Sequence, residues 1–289
     1  MAMFQRYVSV DWSGAGMEHK PVDLSVAAAG RAAPAELVWP PRFPRVRNWS
    51  RAECREWLSA ILSTDQPRTI VALDFGLGLP WGADQGVFRR DGWRATIQAL
   101  ADLYGRYGTA RAVAEVVNRD PRFAGHGPYR FDENRTDFRF YLQHGVAYFR
   151  LIETAVPQAI SQWYMGSGGT AGFHTITGLS ALHDLIAQRE AGRVQFRVWP
   201  QECEHPMDVG GTHIIVESYP AIYPKPASFG PCTTDHQRDA WKVLLWMIEA
   251  DELGNLVKSF LPSPLPFGRV AGTSFGDQVR FEGWILGVG

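Results

Sequence analysis

The chain has 289 residues, of which 45% are hydrophobic and 20% charged, with a formal net charge of −1. That is a globular composition with room for a well-buried core, which excludes a disordered chain and a uniformly basic nucleic-acid binder but not a local basic patch. Cys54, Cys203 and Cys232 are widely separated and form no CxxC pair, which speaks against a zinc site or a disulfide framework and for a reducing compartment. The start, MAMFQRYVSV, has no apolar signal core. No apolar run approaches the roughly 18–20 residues that cross a bilayer. A cytoplasmic protein with no membrane association is expected.

In chain order, residues 4–11 read as a first strand ending in the small-residue turn DWSGAG. Two further strands are expected near 22–29 and 35–39, as a hairpin. Ser50, with Glu53 three residues on, opens a helix to about Ile61 through a capping box. TIVALD (69–74) is a continuous apolar run, suited to a strand buried on both faces of a parallel sheet. From about 81 to 192 the pattern is mostly helical, over 93–104, 109–118, 143–164 and 176–191. The polar, Gly/Pro-rich stretch RDPRFAGHGPYRFDENRTDFRF interrupts it as a loop. VQFRVWP and HIIVESYP read as two more strands, followed by a helix from about Thr234 to Asp251. Eleven tryptophans, several beside Pro or Gly, are expected to plug loop–core junctions, not to form a base-stacking platform.

This order implies an α/β fold: a ribonuclease H-like mixed sheet flanked by helices, as a single domain over 1–289 with a long helical insertion after the fourth strand. In that arrangement the first and fourth strands are parallel neighbours, and Asp11 and Asp74 lie together at the carboxyl edge of the sheet, where open α/β sheets bind ligands. Asp11 follows Val8 and Val10 and could also serve as a turn-forming residue. Asp74, between IVAL and FGLGLP, has fewer structural roles, and its flanking glycines allow close approach of a ligand. Glu217 ends an apolar strand, where an edge-strand ion pair is the alternative. Asp235, His236 and Asp239 share one face of the last helix. Asp235 is a candidate N-cap as well as a candidate ligand, Asp239 a ligand without another role, and His236 a group that could orient water or phosphate. Carboxylates in this pattern suit Mg²⁺ or Mn²⁺.

Other motifs fail on context. Gly272-Thr-Ser274-Phe-Gly276 spells GxSxG, but no histidine follows Ser274. Gly76-x-Gly78 lacks the helix opening and third glycine of a dinucleotide fingerprint. The cluster MGSGGTAGF (165–173) reads as a turn. Arg42, Arg45, Arg47, Arg51 and Arg55 gather beside Trp49, and Arg119, Arg122, Arg130, Arg135 and Arg139 among aromatics and acids. Either set could face a nucleic-acid backbone, and either could be a solvated, ion-paired surface.

The blocks DWSGAG, ALDFGLGLP, ESYPA and DHQRDA, with FHTITGLSALHDL (173–185), together resemble the family catalogued as domain of unknown function 429 over most of the chain. The resemblance implies a nuclease-like protein of ribonuclease H-like fold related to RuvC-type resolvases, with acidic roles for Asp11, Asp74, Glu217 and Asp239. The His236-x-x-Asp239 spacing is similar to the last active-site block of RuvC-type enzymes. Family members often carry Pro two residues after the second acid, where this chain has Gly76. The expected function is a Mg²⁺- or Mn²⁺-dependent phosphodiesterase acting on nucleic acid. Asp11 and Asp74 would bridge two metals, Glu217 and Asp239 would complete the set, and His236 would assist proton transfer. The alternatives are a nucleotide or sugar-phosphate phosphotransferase or hydrolase on an actin/sugar-kinase-like scaffold, and a non-catalytic binding protein. Oligomeric state and the choice of DNA or RNA are not legible in the sequence.

Overall fold

The computed structural model describes residues 2–132, 138–166, 170–265 and 270–289. Strands β1 (Arg6–Asp11), β2 (Ser25–Gly30) and β3 (Glu36–Val38) form an antiparallel meander. Strands β4 (Thr69–Leu73), β5 (Phe196–Val198) and β6 (His213–Glu217) continue the sheet in parallel with β1, in the order β3-β2-β1-β4-β6-β5. The chain leaves β1 toward one edge and returns at β4 on its other side. The crevice between their carboxyl ends is therefore the switch point of the sheet, where open α/β sheets bind ligands.

Period-two alternation divides the core between the two faces. Val8, Val10, Val71, Leu73 and Ile215 belong to one cluster, shared with helices α1 (Arg51–Ile61), α2 (Gly92–Tyr107), α3 (Ala110–Asn118) and α6 (Ala171–Glu190). Tyr7, Ile70, Ala72, Ile214 and Val216 belong to the other, with helix α7 (Asp235–Glu252) and the C-terminal segment containing α8 (Phe275–Glu282). All five residues of β4 are buried, as its unbroken apolar run requires.

Local signals account for the element ends. Ser50 and Glu53 cap α1 reciprocally, as expected. At α7 the N-cap is Thr234, which forms a capping box with Gln237, so Asp235 is the first helical residue and not the cap. The expected helix over 143–164 is not continuous. It is replaced by α4 (Arg139–His144), ended by left-handed Gly145, and α5 (Leu151–Ala155), which stops before Pro157. A proline there cannot continue the hydrogen-bond ladder, and the apolar periodicity concealed the break. None of the eleven tryptophans is exposed, and Trp12, Trp49, Trp163, Trp199 and Trp284 are fully buried. Among the described residues no helix is long and apolar enough to cross a membrane.

Candidate active site

Asp11 ends β1 two residues beyond Ser9. Asp74 follows β4 two residues beyond Ala72, and its N–H still donates to the Val10 carbonyl at 3.0 Å. Both carboxyls therefore emerge on the α7 side of the sheet. Glu217 pairs in register with Leu73 and follows Ile215 by two, so parity sends its side chain to the opposite face. The sequence contained this distinction, but only once the register was known.

Burial pushes the Asp11 carboxyl above the ordinary aspartate range against the pull of His236, and Asp239 adds to the rise. Asp74 is raised further, by burial first and then by the negative charge of Asp11 beside it. Poor solvation and the second negative charge both disfavour a state in which the two carboxyls are ionised together, so the pair favours keeping a proton. His236 Nδ1 donates to Asp11 Oδ2 at 2.6 Å, and this contact raises the imidazole pKa. The imidazole is about half exposed, and its Nε2 has no partner among the described residues. Asp239, one helical turn on, is half-exposed and 3.3 Å from Lys242 Nζ, yet near enough to raise both Asp11 and Asp74. Asp235 turns away. Its side chain is 89% exposed and paired with Arg238 at 2.7 Å, so it stands outside this group.

Glu217 is held by a different partner. Its two oxygens accept from Arg150 Nη1 and Nη2 at 2.7 and 2.6 Å, and Oε2 also accepts from Leu77 N at 2.9 Å. The same guanidinium donates to Glu153 at 2.7 Å, and all three side chains are buried. A planar, doubly bonded cation is what lets two carboxylates be buried at this depth. This ion triad forms part of a cavity that runs on from Asp74, and the opposite wall holds His174 of α6. Burial depresses His174 to about 4, so its imidazole is neutral. It was not singled out from the sequence, although its block was. The only available signal was a histidine at the start of a helix.

The glycines and aromatics of the three blocks explain one another. A Cβ on Gly14 would lie 2.4 Å from the Phe173 carbonyl carbon, and one on Gly178 would lie 2.3 Å from the Phe75 ring. Trp12 stands edge-on to Phe75 and donates to Thr177 Oγ1 at 3.0 Å. DWSGAG, DFGLG and FHTITG thus interlock through backbone-distance contacts that any side chain would prevent. Ser274 of the GxSxG string is the N-cap of α8.

Most of the first arginine group has internal work. Arg51 is fully buried and donates to the carbonyls of Ser13, Ala15 and Gly16, clamping the loop after Asp11. Arg42 pairs with Glu53, and Arg55 with Glu18 and Asp184. Arg45 and Arg47 are exposed and make no ion pair with a described residue, and Arg47 lines a cleft with Trp39, Asn48, Thr234 and His236. In the second group Arg119 and Arg122 pair with Glu115 and Asp120, Arg130 stacks on Tyr148, and Arg135 lies outside the described residues, as does 167–169 of the glycine cluster.

Among the described residues, no group of three or more His, Cys, Asp or Glu side chains is arranged to hold a metal ion. The convergent donors are the Asp11–Asp74 pair, with His236 bonded to one member and Asp239 at a longer reach. No family model, curated protein or solved structure matches the chain.

Proposed function

We propose that this protein is a divalent-cation-dependent phosphodiesterase acting on nucleic acid, built on a ribonuclease H-like core and related to the domain of unknown function 429 family. The observation that carries the proposal is the Asp11–Asp74 pair: a buried and a half-buried carboxyl at the ends of adjacent parallel strands, both raised above the ordinary aspartate range. The strand order and directions agree with a ribonuclease H-like core, and they support that part of the reading. The sheet is single among the described residues, so an actin/sugar-kinase arrangement of two such cores gains no support.

The donor set fits one ion better than two. Mg²⁺ is commonly held by one or two carboxylates, with waters and substrate phosphate completing its shell, and Mn²⁺ accepts the same hard oxygens. Asp11 and Asp74 meet that requirement, and a cation held by them would offset the repulsion between two ionised carboxylates. Asp239 is the third candidate, once released from Lys242. Glu217 has both oxygens engaged by Arg150, so a two-ion site of four protein carboxylates is not part of the proposal. When bound, the cation would offset charge on the phosphodiester and lower the pKa of a coordinated water. His236 holds Asp11 in place through Nδ1 and can exchange a proton at Nε2, which has no partner among the described residues. Arg47, in the cleft beyond His236, would meet a neighbouring backbone phosphate.

The test is calorimetric titration of Mg²⁺ and Mn²⁺ into the wild type and Asp74→Asn, followed by cleavage assays on branched, single-stranded and hybrid substrates. Binding and cleavage are expected in the wild type, and both should fall to background in the folded variant. Undiminished cleavage by Asp74→Asn would overturn the proposal.

A further inference from the structure

The cavity that begins at Asp74 has a volume of about 200 Å³ and is not needed to hold the acidic pair. Its charge is net negative, with one guanidinium set against the carboxylates of Glu153 and Glu217. Arg150, its one cation among the described residues, spends its donors on Glu217, Glu153 and the Glu282 carbonyl, and an incoming anion would face Asp74, Glu153 and Glu217 with no free positive group among those residues. Its remaining polar lining is neutral and partly unsatisfied. Ser218 is 2% exposed, and its Oγ has no hydrogen-bond partner. The His174 ring likewise has no partner among the described residues. Phe75, Ile160, Tyr219 and Ile285 supply apolar and aromatic wall. An orphaned buried hydroxyl is costly unless a ligand or water completes it.

We infer that this cavity receives an unpaired nucleobase, so that the enzyme acts on single-stranded or extrahelical nucleotides. The inference rests on the phosphodiesterase reading for its link to catalysis. A neutral planar heterocycle with donors and acceptors on its edge suits aromatic walls and uncharged polar groups, and a phosphate does not. Asp74 lies in the wall of the cavity and also belongs to the acidic pair. A base seated here would therefore bring its own backbone phosphate to Asp11 and Asp74. A base stacked within a duplex cannot enter.

The test uses the whole protein without metal, in EDTA, titrated with adenosine, cytidine and ribose 5-phosphate and followed by ligand-observed NMR. Saturable binding of at least one nucleoside, and none of ribose 5-phosphate, is expected. Ser218→Ala should weaken nucleoside binding about fivefold through loss of one hydrogen bond. Ala171→Leu, which builds into the cavity, should abolish it. Ser218→Ala removes only an unpaired hydroxyl, so it keeps the test decisive if Ala171→Leu fails to fold. No nucleoside binding by folded wild type, equal binding of ribose 5-phosphate, or binding unaffected by Ser218→Ala would overturn the inference. Metal binding at Asp74 without nucleoside binding would remove the base pocket and leave the phosphodiesterase reading standing. Nucleoside binding without metal binding would do the reverse.

Discussion

Two acids set side by side in a poorly solvated crevice must either keep a proton or find a cation, and this makes their protonation a property of stability as well as of chemistry. Asp11 and Asp74 both have folded-state pKa values above their unfolded ones. Their contribution to stability is therefore full below the unfolded aspartate value and is lost as pH rises through the folded one. Glu282, raised by burial to about 7, acts in the same direction. The metal-free protein should accordingly lose melting temperature as pH rises from about 5 to 8. Asp74→Asn should flatten that slope and melt higher at pH 8, by about 2–4 °C per kcal/mol relieved. Added Mg²⁺ should raise the wild-type value at pH 8 and leave the variant's unchanged; thermal melts across pH with and without the ion would check this. Arg150 gives the opposite case. Arg150→Met leaves Glu153 and Glu217 buried without their cation, and should cost about 3–5 kcal/mol in chemical denaturation.

Helix α7 reaches the site because it is tied to β1 at both ends. Near its C-terminus Asp251 accepts from the backbone N–H groups of Met3 and Phe4 and from the Tyr7 hydroxyl. At its start His236 donates to Asp11. The helix between these residues spans roughly 22 Å at about 1.5 Å per residue, and extended chain from Phe4 to Asp11 spans roughly 23 Å. The two elements match in length, so one anchor sets the position of the other. Asp251→Ala should therefore lower stability by about 3 kcal/mol by leaving buried donors unpaired, and should also lower the His236 pKa as its contact with Asp11 loosens. Urea unfolding and histidine NMR titration would read the two effects. Gly178→Ala should be damaging as well, by about 1–3 kcal/mol, because its methyl would meet the Phe75 ring and push Phe75 off Trp12.

Across the whole molecule the charge is nearly balanced, and most of the clustered arginines are engaged within the fold. With Arg45 and Arg47 exposed and Arg47 lining the cleft beside His236, electrostatic binding of a single strand should be weakly salt-dependent. The slope of log K against log salt should be roughly −1.4, for two phosphate contacts. Arg47→Ala should reduce it by about half. Binding of a fluorescent oligonucleotide to Asp74→Asn over a range of salt would measure both, and a slope several times steeper would place the nucleic acid on another face.

Strand identity, the β2–β3 hairpin, the capped α1, the extent of α7 and the burial of the tryptophans were readable in the sequence, because apolar periodicity, caps and turns are local properties, although the cap of α7 is Thr234 and not the expected Asp235. Asp11 and Asp74 were readable for the same reason, since each ends an apolar strand. The long helix expected over 143–164 failed because Gly145 and Pro157 outweighed a persistent apolar pattern. Which acids meet was decided only by tertiary structure. Strand register put Glu217 on the far face beside Arg150, and helix rotation sent Asp235 to solvent while bringing His236 to Asp11. The fate of the arginines was settled in the same way. Charge and spacing are the same for a free guanidinium and for one buried against three carbonyls, and only the packed chain distinguishes Arg47 from Arg51.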